Sequence, residues 1–355
     1  MVASLALALG YLACLLAARL GMWTLPWPLS VLDTFAFYAF LPFLSVALAA
    51  FHLRSRALFG IFVLALAFFV QQFGAEIAGE AGLGSRTTVA SVERPTQLRV
   101  LSLNVQAPND DPSYLLPVIR ERQPDVLVLQ EVTAPYAEAL TQAVGDTYPY
   151  TFVAGTDTEH EGAGTWSRLP LSDGESFRLG QWGNEHHRVR ILTPQGPVWL
   201  YNVHLPNPTD PENTDAQRRL AATIWAFDPR RRDAEVAALA ERLVHIEQPF
   251  IVAGDLNLTA GSLAYRRLPP TWRDAFAEVG RGFGYTYPAP EHLHDDDPPR
   301  WFLRRFSLLR IDYVLVSPSL RPVHAWTEEV IDTDHMAVLA DIDRESAPSH
   351  QTAPR

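Results

Sequence analysis

Four carboxylates, two histidines and two asparagines stand at the ends of short apolar runs along this chain: Asn104, Glu131, His204, Asp255, Asn257, Asp312, Asp334 and His335. Glu131, Asp255, Asp334 and the amides of Asn104 and Asn257 offer hard oxygen donors with no thiol among them. Such a set suits Mg²⁺ or Mn²⁺ with coordination positions left for water and phosphate. His204 and His335 exchange protons near neutral pH, and Asp312 could hold one imidazole in a single tautomer. A divalent ion, an oriented water and a nearby histidine are the components of phosphoester hydrolysis.

The elements that must position these groups are strands. Leu98–Leu103, Val126–Leu129, Val198–Val203, Phe250–Ala253, Ile311–Val316 and Met336–Ile342 are short β-branched or leucine-rich runs. Helical patterns such as Tyr114–Arg122 and Ala234–Ile246 lie between some of them. This mixture over some 250 residues predicts a layered α/β domain. Polar residues are ordinary at strand ends, but here all six runs carry catalytic residue types. The first four runs lead into Asn104, Gln130–Glu131, His204 and Asp255–Asn257. The last two are reversed: Asp312 opens Tyr313–Val316, and Asp334 and His335 open Met336–Ala340. If those two run antiparallel to the others, every one of these groups meets at one edge.

In this order the motifs LSLN, LQE, SRLP, NVHL, GDLN, RIDYVL and TDH resemble the endonuclease/exonuclease/phosphatase superfamily, across about residues 97–343. The resemblance implies a two-sheet α/β sandwich flanked by helices, acting as a metal-dependent hydrolase of phosphoric ester or pyrophosphate bonds. It implies Asn104, Glu131 and Asp334 as metal ligands and His204 against the scissile phosphate. Asp255 and Asn257 would orient the water and a phosphate oxygen, and Asp312 would pair with His335, the base or phosphate contact. Whether a histidine or an aspartate takes the water proton stays open. TDH stands where SDH is commoner, and Glu159 and Glu161 are both candidates for a carboxylate beside His204.

In front of this domain the chain is strongly apolar. Uncharged stretches at about 2–18, 31–51 (Asp33 at its lip) and 57–74 approach the roughly 20 residues that cross a bilayer. The first lacks the basic start of a signal peptide. The reading is a three-span anchor over 1–76, a linker over 77–96, the catalytic domain over 97–344 and a disordered tail over 345–355. Arg54 and Arg56 mark the loop before the third span as cytoplasmic, although Arg19 argues weakly the other way. The expected localisation is a multi-pass protein of the cytoplasmic membrane with its catalytic domain outside. This layout resembles VanJ-type glycopeptide-resistance membrane proteins, which implies a lipid-linked phosphate or pyrophosphate of the undecaprenyl carrier as substrate and the lipid bilayer as partner. Alternatives are a nuclease or sphingomyelinase-like phosphodiesterase of the same superfamily, and a non-catalytic binding module.

Composition narrows the field further. Of 355 residues, 48% are hydrophobic and 19% charged, which excludes wholesale disorder. One cysteine, Cys14, excludes a disulfide framework and a thiolate zinc cluster, and reads as inert packing. All 29 basic residues are arginine, so neither a Schiff-base lysine nor a P-loop lysine is available. Beyond residue 94, 24 arginines face 36 acids, a net −12, which argues against general nucleic-acid binding. Arg300–Phe306 reads as a surface hairpin, with a membrane-contacting lip as the alternative. His292, His294 and Asp295–Asp297 read as a solvated acidic loop, and His186 and His187 as surface residues. Arg168 fits an ion pair or a phosphate contact equally.

Overall fold

A computed structural model describes residues 2–20, 27–80, 98–107, 109–156, 162–181, 183–209, 226–289 and 307–345. Glu159, Glu161, His292, His294, Asp295–Asp297, Arg300–Phe306, most of the linker segment and the tail beyond Glu345 lie outside the described residues. The described chain forms two compact units. One combines residues 1–88 with 206–237 and 257–268; the other holds 89–205, 238–256 and 269–355. The contiguous domain expected over 97–344 therefore lends two segments to the unit of the N-terminal helices.

In the larger unit, twelve strands build two six-stranded mixed sheets. β1 (Leu98–Asn104), β2 (Val126–Gln130), β3 (Tyr150–Ala154), β4 (Ala163–Ser167), β11 (Leu320–Glu328) and β12 (Ala337–Arg344) form the first, in the order β11-β12-β1-β2-β4-β3. β5 (Leu171–Phe177), β6 (His186–Thr193), β7 (Gly196–Asn202), β8 (Phe250–Asp255), β9 (Arg273–Asp274) and β10 (Asp312–Val316) form the second, in the order β5-β6-β7-β8-β10-β9. The β1–β2 and β7–β8 pairs are parallel, whereas β12 on β1 and β10 on β8 are antiparallel. The reversal expected for the last two runs is thus present.

Alternation along the strands supplies two cores. Val100, Val126 and Val128 face the second sheet and pack with Leu200, Ile251, Val314 and Ala340. Leu101, Leu103, Leu127 and Leu129 point the other way, under α5 (Leu116–Arg122) and α6 (Ala134–Val144), with Tyr136 and Trp166. Burial on both faces explains why these strands are continuous apolar runs.

Polar ties join the sheets near the chemistry-bearing edge. Gln130 donates from Nε2 to Asn202 Oδ1 at 2.8 Å, and Asn202 Nδ2 donates to the carbonyls of Leu129 and Gly164. His187 lies 2.8 Å from the Thr165 hydroxyl. His186 and His187 are both fully buried, not at the surface, because β6 is an interior strand whose ends enter this polar seam.

The smaller unit contains α1 (Val2–Leu20), α2 (Trp27–Thr34), α3 (Pro42–His52) and α4 (Arg56–Glu80), with α8 (Leu263–Arg266) and the start of α7 (Arg230–Leu243). Among the described residues one helix, α4 over Arg56–Gly74, is long and apolar enough to cross a membrane; Val2–Ala18 and Tyr38–His52 are shorter apolar helices. The run expected as one span at 31–51 is broken. α2 stops at Thr34, a 3₁₀ turn covers Tyr38–Phe40, and Pro42 starts α3 in the first turn, where its missing N–H costs nothing. α4 continues to Glu80, into the segment read as linker. Phe40 packs among Phe43, Phe68, Phe69 and Phe73 and joins the helices. Cys14 is exposed rather than packed: α1 buries Ala8, Leu12, Leu15 and Ala18, and position 14 lies off that stripe.

Burial, with a smaller contribution from His186, lowers the His187 pKa to about 3. The folded state therefore binds this proton less well than the unfolded chain. The stability His187 contributes is present above the ordinary histidine pKa of 6.5 and is lost as pH falls from there toward 3. Urea titrations followed by fluorescence are expected to show His187→Gln with a shallower loss between about pH 6 and 4, by up to about 1.4 kcal/mol per pH unit. An unchanged slope would refute the assignment.

Candidate active site

The strand ends expected to converge do so. Asp255 closes β8 and Asp312 opens β10, and the antiparallel register makes them direct partners. Asn104 closes β1 beside Gln130, the last residue of β2, which sets Glu131 next to it. His204 follows β7, and its main chain is fixed from both sides: its N–H donates to His186 Nδ1 at 3.2 Å, and its carbonyl accepts from Asn184 Nδ2 at 3.0 Å. His335 precedes β12.

Backbone conformation shows how tightly these ends are built. Glu131 has φ 56° and Asn257 φ 48°, in the left-handed region that non-glycine residues seldom occupy. Such strain persists where surrounding contacts over-determine it. Gly254 has φ +144°, and a Cβ there would lie 1.9 Å from the Val203 carbonyl oxygen. Only glycine lets β8 pass this close to the chain leaving β7, where Leu205 N–H bonds the Asp255 carbonyl at 2.9 Å.

Seven of the expected residues form one network in the larger unit. Asn104 Nδ2 donates to Glu131 Oε1 at 2.9 Å and to Asp255 Oδ2 at 3.3 Å. His204 Nε2 lies 3.7 Å from both of those oxygens. His335 Nε2 lies 3.8 Å from Asp255 Oδ2 and 3.9 Å from Asp334 Oδ1, while its Nδ1 bonds Asp312 Oδ2 at 2.9 Å. The histidine distances to Glu131, Asp255 and Asp334 are beyond hydrogen-bond length. The eighth residue, Asn257, lies two positions past Asp255 and belongs to the smaller unit, where its carbonyl accepts from the buried Arg232 Nη1 at 2.8 Å.

Asn104 is held by both ends of its amide. Its amide oxygen accepts the Gln106 N–H at 3.0 Å, and its amide nitrogen bridges two carboxylates. Asp255, Asp312 and His335 make the tightest ligand grouping among the described residues, their atoms within 4.8 Å of one another. Asp312 Oδ1 is buried without a hydrogen-bond partner among the described residues. A buried carboxylate oxygen of this kind, in an all-oxygen and nitrogen donor set, fits a hard divalent cation.

Burial alone would lower the His335 pKa. The opposing effects are the Asp312 and Asp255 charges, the Asp312 hydrogen bond and Asp334; together they outweigh burial and hold the pKa well above 6.5. Tyr287 packs on the ring at 5.1 Å.

Several supporting residues carry no recognisable sequence signal. Thr333 Oγ1 donates to the Asn104 carbonyl at 2.8 Å and accepts the His335 N–H at 3.3 Å, a hydroxyl task that serine also performs, so TDH is a conservative form of SDH. Thr286 Oγ1 accepts from the Ile311 and Asp312 amides, and Gln106 Oε1 from the Asp334 amide. Arg168 lies over the Tyr148 ring at 5.3 Å.

The endonuclease/exonuclease/phosphatase family model matches residues 101–335, from β1 to His335 itself. The chain belongs to this family. Its members typically hydrolyse phosphoester bonds and use divalent metals, and this chain is a hydrolase of that superfamily. Solved structures agree on the fold. A Bacteroides vulgatus endonuclease/exonuclease/phosphatase is 18% identical, with a TM-score of 0.54 over 70% of this chain and 100% of that one. A Beutenbergia cavernae member is 22% identical, with a TM-score of 0.50 over 72% and 73%. Danio rerio TDP2, solved with a single-strand DNA product, is 15% identical, with a TM-score of 0.51 over 70% and 99%. None of the curated proteins compared matches the chain.

Gly254→Ala tests how the family's GDLN motif is held. Left-handed strain and the clash with Val203 are expected to destabilise the fold by about 2–4 kcal/mol in chemical denaturation. Wild-type stability would refute it.

Proposed function

We propose that this protein is a membrane-anchored, divalent-metal-dependent phosphoesterase whose catalytic domain lies outside the cytoplasmic membrane. Its proposed substrate is a lipid-linked phosphate or pyrophosphate, the undecaprenyl carrier class suggested by the resemblance to VanJ-type proteins. The observation that carries the hydrolytic reading is the convergence of Asn104, His204 and His335 nitrogens on Asp255 Oδ2, with Glu131, Asp312 and Asp334 around them.

Each residue then has a task. His335 Nδ1 is committed to Asp312, so Nε2 is the atom offered to a phosphate oxygen. Asp255 Oδ2, faced by both histidines, accepts the proton of the attacking water. His204 steadies charge on the phosphate from the Glu131 side, and Asn257 orients a phosphate oxygen. Glu131, Asp334 and the buried Asp255 and Asp312 carboxylates are the groups that would hold Mg²⁺ or Mn²⁺. Such an ion neutralises phosphate charge and acidifies water when bound.

Membrane anchoring is supported by α4 and by large apolar side chains left exposed on the helices, among them Leu7, Leu48, Phe51, Phe59 and Leu64. An exposed apolar belt of this kind fits lipid. Arg54 precedes α4 and Arg56 opens it, which favours a cytoplasmic start for that helix and an external end.

The test is the full-length protein in detergent with Mg²⁺, assayed against undecaprenyl pyrophosphate, sphingomyelin and plasmid DNA. Turnover of the lipid pyrophosphate is expected; turnover of DNA alone would sink the lipid reading in favour of a nuclease. Glu131→Ala and His335→Ala are each expected to lower kcat by about 10²–10⁴-fold with the fold intact by circular dichroism. Activity within a few-fold of wild type in either would refute the site. An alkaline-phosphatase reporter fused at Arg355 should be active, and a silent reporter on a well-expressed fusion would overturn the topology.

A further inference from the structure

We infer that the N-terminal helical region is a latch for the loop that carries Asn257, with Asp33 as its positioning residue; the functional half of this inference rests on the phosphoesterase reading. The contacts involved lie within the smaller unit. Asp33 lies in the last turn of α2 and is buried, at 3% exposure. Its Oδ2 accepts the Leu263 N–H, and its Oδ1 pairs with Arg266 Nη2 at 3.2 Å. Its neighbour Thr34 accepts a 2.8 Å hydrogen bond at its carbonyl from Thr259 Oγ1. Phe35 completes the set, its ring 6.4 Å from that of Phe227.

Only Leu258 separates Thr259 from Asn257 along the chain. Thr259 O receives both the N–H and the hydroxyl of Ser262, closing the turn from 259 to 262. Leu258 is fully buried, and the Asn257 carbonyl is held by Arg232, itself paired with Asp233 at 2.7 Å. Asn257 must be held in a left-handed conformation, so the loop on its C-terminal side needs fixed anchors. A buried carboxylate is a demanding anchor: removing its partners leaves a charge without compensation, so the contact is kept or lost as a unit.

The latch also agrees with the proposed orientation. Phe37 packs on Phe69 and Phe73 at 5.3 Å, in the C-terminal half of α4. Asp33 and Thr34 therefore lie toward the end of α4 from which the chain continues into the catalytic domain, away from Arg54 and Arg56. The helices would thus hold the loop that carries Asn257 directly, within the smaller unit.

The test uses the full chain in detergent micelles, Asp33→Ala and the milder Thr259→Val, with amide exchange read over residues 258–266. Kinetics use whichever of undecaprenyl pyrophosphate, sphingomyelin and plasmid DNA is turned over. Asp33→Ala is expected to accelerate exchange at 258–266 by about tenfold or more. It should also lower kcat by about tenfold with KM within about twofold, and cost little further when added to Asn257→Ala, because both act through one residue. Thr259→Val should move exchange and kcat in the same direction by less, which covers the case in which Asp33→Ala does not fold. Unchanged exchange in both variants would overturn the latch. Accelerated exchange with unchanged kcat, or full additivity with Asn257→Ala, would overturn the positioning role. Wild-type kcat in Asn257→Ala would instead overturn the catalytic reading of Asn257, leaving the exchange result to decide the latch.

Discussion

The site depends on the burial of one carboxylate. Asp255 is 1% exposed, and a charge removed from water that far must be met by donors or it forces the group to neutralise. Three nitrogens meet it, from residues at the ends of three other strands, and every one of those strands must stop at the same level for this to happen. The sheet register does the alignment. β8 ends as β10 begins, which sets Asp255 directly opposite Asp312, and two like charges paired across strands repel. His335 relieves that repulsion by bonding one carboxylate and facing the other.

Much of this arrangement is legible in the order of the amino acids alone. Strands buried on both faces leave unbroken apolar runs, so β1, β2, β7, β8, β10 and β12 stand out, and the polar residue at one end of each run marks its functional end. The antiparallel sense of β10 and β12 follows from which side of the run carries the acid. Other elements are silent for physical reasons. β5 reads LSDGESF and is mostly exposed at a sheet edge, so it carries no strand-like apolar pattern. β3 is likewise an edge strand and only partly covered. His186 and His187 look solvated because sequence does not reveal that a histidine's partner is a hydroxyl or an amide on another strand. The same blindness hides Thr333, Thr286 and Gln106, whose work is to bond backbone.

The N-terminal third shows a different limit. Hydropathy over 31–51 is continuous, so the run reads as one span with Asp33 at its lip. The break after Thr34 comes from partners over 200 residues away in sequence: the Leu263 amide, Arg266 and the Thr259 hydroxyl. An acid at the end of an apolar helix can satisfy itself with water or with protein, and local sequence does not distinguish the two. Here protein wins, and with it the path of the chain changes.

Electrostatics limits what such a site can accept. Glu131, Asp255, Asp312 and Asp334 bring four carboxylates against two histidines, within a portion of the chain that carries a net −12 beyond residue 94. A phosphate approaching this pocket adds negative charge at distances of a few ångströms, where screening by salt is weak. Long-range steering by the protein's field does not help an anionic substrate, because that field has the wrong sign. Attraction must therefore be local, from His204 Nε2 and His335 Nε2 and from a cation held by the carboxylates. For the lipid-linked substrate proposed above, confinement near the bilayer would raise the local concentration of a headgroup without any help from charge.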